Sequence, residues 1–130
     1  MEPQNREIVQ DRVLLQRQLK ERTKQFALRI IRLFRSLPRS PDAQTIGRQL
    51  LRSGMSVGAN YRAATRARSR QEFAAKIGIV VEEADETVFW LELLTESGLV
   101  PLKRLQSLVA EACELTAIFT ASHQTARNKR

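Results

Sequence analysis

The sequence predicts an all-α fold, an antiparallel up-down-up-down four-helix bundle in a single domain. Gly and Pro are scarce in the 130 residues, at 5 and 4, and strand-rich folds need more turn residues than that. Helix-forming Ala, Leu, Gln, Glu and Arg are abundant instead. Apolar residues recur at steps of three and four in four segments, and the short connections between them place successive helices antiparallel.

The first helix is predicted over about residues 5–36. One apolar stripe runs along it: Leu15, Leu19, Phe26, Ile30, Leu33 and Leu37. Arg22 fills the gap in this series. The N-terminal half has a narrower apolar face and more charge, so we expect it to project beyond the bundle or to pack against another subunit. Pro38 ends the helix because it disfavours helical geometry at Leu37.

The second helix is predicted over about residues 41–67, with Ser40 as N-cap and Pro41 at the first helical position. Gly54 and Gly58 lie one turn apart inside it and indicate either close approach of a neighbouring helix or a kink. Asn60 falls on the inner face, where an amide needs a partner. We expect it to bond to the opposite helix at Thr87.

Two further helices follow, over about residues 70–97 and 101–122. Ser69 and Glu72 fit a capping box, and Gly98 fits the position after a helix end. The predicted seam of the third helix is Phe73, Ile77, Val80, Ala84, Val88, Leu91 and Leu94. That of the fourth is Leu102, Leu105, Val109, Ala112, Thr116 and Phe119. We expect residues 123–130 to form a frayed basic tail.

Charge is distributed in blocks. Residues 1–70 carry a net charge of +11, residues 71–100 carry −6 and residues 101–130 carry +3, within a total of +8. A basic block of this size is typical of nucleic-acid contact. The acidic block can pair with a basic one, in the same chain or in a neighbouring subunit.

The composition excludes several kinds of chemistry. With one cysteine, Cys113, and one histidine, His123, the chain has no internal disulfide, no Cys-based zinc site and no His-based triad. Cys113 is expected to be a small packing residue. The N-terminus is too polar for a signal peptide, and no apolar stretch approaches 18 residues. We expect a soluble cytoplasmic protein without a cofactor or membrane contact.

The centre of the chain carries a family pattern. It begins with the sequence RSGMSVGANYR at residues 52–62. RARS at 66–69, Phe73, EEADET at 82–87 and WLELL at 90–94 follow. This pattern resembles the four-helix-bundle family of proteins encoded in intervening sequences of 23S ribosomal RNA genes, also labelled S23 ribosomal protein. The resemblance covers about residues 26–119.

The resemblance implies a four-helix bundle and a ring-shaped homo-oligomer, as in the homopentamers of several members. It also extends to the accessory protein of diversity-generating retroelements, a basic pentamer that works with a reverse transcriptase and nucleic acid. One position departs from the pattern. The family has Glu shortly after the Asn, whereas Ala63 stands here.

The candidate nucleic-acid-binding residues are eight arginines: Arg29, Arg32, Arg35, Arg39, Arg62, Arg66, Arg68 and Arg70. Arg62 and Arg66 share a helical face. The second cluster, from Arg62 onward, has two other interpretations. The favoured one is a solvated helix end compatible with the helix dipole, and the other is pairing with acids of the third helix, in the same chain or across an interface. Because the chain has one Tyr and one Trp, base stacking would be weak and any contact would be electrostatic and sequence-tolerant.

Other residues have structural or interface interpretations. The motif residues of the second helix, predicted to be structural, are Ser53, Ser56, Asn60 and Tyr61. The candidate interface residues of the third helix are Glu82, Glu83, Asp85, Glu86, Phe89 and Trp90.

An alternative is a Mg²⁺-dependent enzyme. The spacing E-E-x-x-E followed by E-x-x-E is similar to that of all-α nucleoside triphosphate pyrophosphohydrolases, with Glu83, Glu86, Glu111 and Glu114 as ligands.

The leading hypothesis is a non-enzymatic oligomer that binds RNA, DNA or a ribonucleoprotein without sequence specificity. Its partners would be copies of itself and possible targets such as a nucleic-acid-processing protein. The alternative to it is a protein-only scaffold in which the arginine clusters pair with the acidic third helix of neighbouring subunits.

Overall fold

Four helices make up the computed structural model, which describes residues 2–128. They are α1 (Pro3–Ser36), α2 (Pro41–Thr65), α3 (Arg70–Glu96) and α4 (Leu102–Asn128). The predicted all-α fold is confirmed, because these residues contain no strand. None of their helices is long and apolar enough to cross a membrane.

Local sequence signals set the ends of the helices. Ser69 Oγ accepts a hydrogen bond from the Glu72 amide at 3.0 Å, and the Glu72 carboxylate accepts one from the Arg68 amide at 3.1 Å. This is the predicted capping box, with its return bond shifted by one residue. Gly98 has φ +78° after the end of α3, a conformation that glycine adopts without strain.

The helices pack in chain order around one core. α2 and α3 share extensive interfaces with their sequence neighbours, whereas α1 and α4 meet only sparsely. The largest fully buried side chains are Phe26, Ile30, Leu50, Val57, Ile77, Val80, Leu91, Leu94, Val100, Leu105, Leu115 and Phe119. Side-chain hydrogen bonds link α1 to α4: Arg29 donates to Ser107 at 2.9 Å, and Arg104 donates to Ser36 at 2.9 Å.

Glycines of α2 allow α1 to approach closely. A Cβ atom at Gly54 would lie 2.9 Å from Ile30 Cγ1, and one at Gly58 would lie 3.3 Å from Thr23 Oγ1. Gly47 faces Leu37 and Phe34 in the same way. Of the two interpretations of these glycines, the close approach is therefore confirmed.

Two expectations for α4 were wrong. Its buried stripe includes Leu108 and Leu115, whereas Val109 and Thr116 are only partly buried and Leu102, at the start of the helix, is 59% exposed. Leucine buries more apolar area than valine or threonine, so the helix turns this stripe inward. Cys113, one residue beyond the buried Ala112, is exposed.

The expected frayed tail is helical as far as Asn128. His123 lies against Gly78 of α3, where a glycine leaves room for the imidazole. Ala126 and Arg127 border the first turn of α3, next to Arg70. These contacts supply packing that the periodicity of the sequence does not show. Residues 129–130 lie outside the described part of the chain.

The expected bond between Asn60 and Thr87 does not form. Asn60 is only partly buried, and its Nδ2 donates to the backbone oxygen and Oγ of Ser56, at 2.9 and 2.6 Å. The polar link between α2 and α3 joins two fully buried hydroxyls instead, with Thr87 Oγ1 2.9 Å from Ser53 Oγ. Asn60 therefore bonds within its own helix, where Ser56 is one turn away.

We expect the Thr87→Val variant to have a free energy of unfolding lower by about 1–2 kcal/mol, because Ser53 Oγ loses its hydrogen bond with the Thr87 hydroxyl in the core. Asn60→Ala removes contacts at a partly solvated site and should cost less than about 1 kcal/mol. Chemical denaturation of the two variants compares these costs. A larger loss for Asn60→Ala would show that the amide, and not the hydroxyl pair, holds α2 against α3.

Candidate nucleic-acid interface

The four carboxylates of the predicted metal motif do not come together. Glu83 and Glu86 face Arg52 of α2, which lies 3.1 Å from Glu83 Oε2 and also pairs with Glu86. These bonds, led by that to Glu86, raise the pKa of Arg52. Among the described residues, no group of three or more His, Cys, Asp or Glu side chains could hold a metal ion. Within the chain, these acids are therefore partners of arginines.

Glu111 and Glu114, the other two acids of the predicted metal motif, explain why Arg22 interrupts the apolar stripe of α1. Arg22 Nη2 lies 2.6 Å from Glu111 Oε1 and 3.0 Å from Glu114 Oε1, and its Nε donates to Glu111 Oε2 at 2.8 Å. The bond to Glu111 is the main cause that raises the pKa of Arg22 above its ordinary value. These bidentate bonds link α1 to α4, whose backbones come close at few positions.

We expect Arg22→Ala to lower the free energy of unfolding by about 2 kcal/mol, because it removes bidentate, charge-assisted bonds and leaves Glu111 without its cation. The more exposed Arg52 serves as the matched control, and Arg52→Ala should cost less than about 1 kcal/mol. Denaturant titration of both variants measures the difference. Equal losses would contradict a special role for the Arg22 fork.

The eight candidate arginines are spread along the length of the bundle. Arg39 precedes α2 and Arg66 follows it. The rise of a helix separates them by about 40 Å. All eight are exposed except Arg29, which is partly buried and bonded to Ser107. The structure therefore does not join them into one cluster.

A cationic groove lies between α1 and α2 and adds residues that the sequence analysis missed. Four cations line it: Arg17, Lys20, Lys24 and Arg62. Gly58, Ala59 and Ala27 also line it, and its volume is about 380 Å³. Glu21, 3.5 Å from Lys24, is the acid among the lining residues. The sequence could have revealed three of these cations as one group, since Arg17, Lys20 and Lys24 are three and four residues apart and therefore share one face of a helix.

Position 63 lies beside Arg62, next to this groove. Ala63 is exposed, and so are Arg62 and Arg66. The carboxylate that the family pattern has nearby is therefore not needed here to compensate a buried cation. Its absence leaves the local charge more positive.

The third-helix interface candidates divide between the inside and the outside of the bundle. Glu82 and Asp85 are exposed, and the Phe89 side chain is 49% exposed. Trp90 is partly buried, with its ring edge-on to Phe89 at a centroid distance of 5.0 Å. Glu83 and Glu86, already paired with Arg52, are partly buried. The outer face of α3 is thus acidic with one aromatic side chain.

Tyr61, the residue before Arg62, packs on Phe119 with a ring-centroid distance of 5.1 Å. Both are buried, at 4% and 0% exposure. Tyr61 also lines an open cleft between α1 and α4 of about 580 Å³, with Leu15, Phe73 and Ile118. Burial raises the pKa of Tyr61 to about 12 from its ordinary 10.0.

The titration of Tyr61 gives a pH prediction. The folded state favours the neutral phenol, so this group's contribution to stability is complete below pH about 10 and is lost as the pH rises toward about 12. Tyr61 is the one tyrosine in the chain, so phenolate absorbance reports it alone. The folded protein should ionise near pH 12, and a midpoint near 10 would contradict its burial.

Comparison with known proteins identifies relatives of this bundle. The family model described as 23S rRNA-intervening sequence protein matches residues 16–121. A crystal structure of a protein of unknown function from the S23 ribosomal protein family of Bacteroides thetaiotaomicron is 32% identical, with a TM-score of 0.77. The match covers 84% of this chain and 97% of that one. No curated protein matches the chain. The chain belongs to the 23S rRNA-intervening sequence protein family.

Proposed function

We propose that this protein binds the phosphate backbone of RNA through the cationic groove between α1 and α2, without reading base sequence. The observation that carries the proposal is the convergence of Arg17, Lys20 and Lys24 on one face of α1 with Arg62 of α2. Their α1 positions span about 10 Å of helix. That length matches about three phosphates along one strand of a duplex.

The lining of the groove supports a backbone ligand. Small side chains at Ala27, Gly58 and Ala59 allow a strand to come close to the helices. No tyrosine or tryptophan lines this groove, so stacking of bases contributes little. A site of this kind neutralises phosphates and releases counterions, which makes its affinity depend on salt and not on sequence.

Titration of a structured RNA and a duplex DNA with the native chain tests the proposal. At about 50 mM salt we expect micromolar or tighter binding, with a steep loss of affinity at about 200 mM. Similar affinities for unrelated RNA sequences should accompany it. Absence of binding at the lower salt concentration would refute the proposal.

A second candidate function is a homo-oligomeric scaffold. The outer face of α3, with Glu82, Asp85 and the half-exposed Phe89, favours it. In such an assembly this face would pack against Arg62 and Arg66 of a neighbouring copy. Family resemblance suggests a ring of five.

One pair of measurements separates the two candidates. For the scaffold, Arg62→Glu should lower the molar mass measured by light scattering, because it places like charges at the interface. For RNA binding, the same change should leave the mass unchanged and weaken RNA affinity, because Arg62 lines the groove. An unchanged mass together with unchanged RNA affinity would exclude Arg62 from both surfaces.

A further inference from the structure

The open cleft between α1 and α4 reaches the core of the bundle. Its volume of about 580 Å³ is typical of a small-molecule site, and such sites form between the helices of bundles. Tyr61 lines the cleft, although its side chain is only 4% exposed and its ring packs on Phe119. A molecule in the cleft would therefore contact the core and not only the surface.

Cations lie at the outer end of this cleft. Arg12 of α1 and Arg70, the first residue of α3, line it. Arg127 of α4 lines the adjoining space beside Arg70. Among residues 2–128, no acid lines either space, and none of the three arginines pairs with an acid. Their charge is therefore free to bind an anion from solution.

The inner part of the cleft is apolar. Leu15 and Leu19 lie on its α1 side, and Ile118 and Ala121 lie on its α4 side. Phe73 of α3 adds an aromatic ring. A ligand that fills this cleft therefore needs an apolar part as well as a negative charge.

The dimensions fit a single extended chain. Arg12 and Leu19 both line the cleft, and their separation along α1 corresponds to a rise of about 10 Å. An extended alkyl chain of about eight to ten carbons spans this distance, since its bonds are about 1.5 Å long. The phosphate backbone of a nucleic acid has no apolar part to cover Leu19, and an uncharged chain leaves the arginines without a partner.

We infer that the cleft binds a fatty acid, a single-chain carboxylate of about eight to ten carbons. Arg12 and Arg70 bind the carboxylate at the outer end. The chain lies along Leu15, Leu19 and Ile118 toward the core. The site is separate from the RNA groove, which neither arginine lines. Its outer end lies partly before residue 16, where the match to the family model begins.

Nuclear magnetic resonance and calorimetry of the full chain with decanoate, below the concentration at which it forms micelles, test the site. Decanoate should bind saturably, and its chain protons should show Overhauser contacts with the ring of Tyr61, the one tyrosine in the chain. Octanoate should bind about tenfold more weakly, because it buries two fewer methylene groups. Decanol should also bind at least about tenfold more weakly, because it lacks the charge that the arginines bind.

Two pairs of arginines test the outer end. Arg12→Gln/Arg70→Gln should weaken decanoate binding at least about tenfold. Arg32→Gln/Arg39→Gln has the same net charge but changes exposed arginines outside the cleft, so it should retain native affinity.

Two alanines of α4 test the inner part. Ala121→Phe places a ring in the cleft and should abolish decanoate binding. Ala110→Phe makes the same change at an exposed position outside the cleft and should retain it. Circular dichroism should show native helix content in both variants and in both arginine pairs.

Four outcomes would overturn the inference. Decanoate fails to bind saturably, or the two arginine pairs lose affinity equally. Inorganic phosphate displaces decanoate at similar concentrations, which would reduce the site to its charge. Phosphatidylglycerol vesicles bind where decanoate does not, which would assign the arginines to a membrane surface. Tyr61→Phe loses affinity while Arg12→Gln/Arg70→Gln does not, which would place the carboxylate at the Tyr61 hydroxyl.

Discussion

Replacing Phe119 by alanine should lower the free energy of unfolding by about 3–5 kcal/mol, because it removes a fully buried ring and leaves a cavity. The ring packs on Tyr61 at a centroid distance of 5.1 Å, where α2 and α4 meet in the core. A loss of this size is a large part of the total stability of a domain. Thermal and denaturant unfolding of the variant measure it.

Tyr61 supplies an independent readout of the same change. Burial is the cause of its raised pKa, so water that enters the cavity should move its phenol ionisation from about 12 back toward 10. Phe89→Ala is the matched control, since that ring is 49% exposed, and should cost less than about 1 kcal/mol. Similar losses for the two variants would contradict the assigned core.

The Gly54→Leu variant should lose at least about 2 kcal/mol of stability, even though leucine favours a helix by about 1 kcal/mol over glycine. A Cβ at this position already meets Ile30 Cγ1 at 2.9 Å and Cβ at 3.3 Å. Ile30 is fully buried and branched at Cβ, so it has little freedom to move aside. The helices would have to separate.

Ala59→Leu tests whether position in the helix, and not the added side chain, causes the loss. Ala59 lies in the same helix and is exposed, so this change should leave stability within about 0.5 kcal/mol of the native value. The two variants differ in burial and not in the residue introduced. Native-like stability of the Gly54→Leu variant would show that α1 does not pack closely on α2 at Gly54.

Local signals predicted the helices well. Pro38, Pro41, the Ser69–Glu72 cap and Gly98 each act on the backbone within a few residues, so the chain itself carries the information. The end of α4 was missed because its contact with Gly78 and the first turn of α3 joins residues far apart in sequence. Periodicity also could not decide between two overlapping stripes of α4, since both include Leu105, Ala112 and Phe119.

The candidate site could be predicted only in part, because the sequence does not show which residues of different helices come together. In a sequence, carboxylates spaced to bind a metal ion cannot be told from carboxylates that pair with arginines. The pairing of these acids with Arg22 and Arg52 is visible only once the helices are packed together. The same applies to the cationic groove. Arg62 was a candidate, but its neighbours Arg17, Lys20 and Lys24 belong to another helix and became partners through the antiparallel packing of α1 on α2.

The most direct test of the proposed RNA contact compares two charge-reversed variants with equal net charge. Lys20→Glu/Arg62→Glu changes the groove, and Arg32→Glu/Arg39→Glu changes exposed arginines toward the other end of the bundle. Measured against one structured RNA over about 50–200 mM salt, the groove variant should lose at least about tenfold in affinity and reduce the salt slope by about 2. The other variant should stay close to native. Equal losses in both variants, or native affinity in the groove variant, would contradict the assignment of the groove.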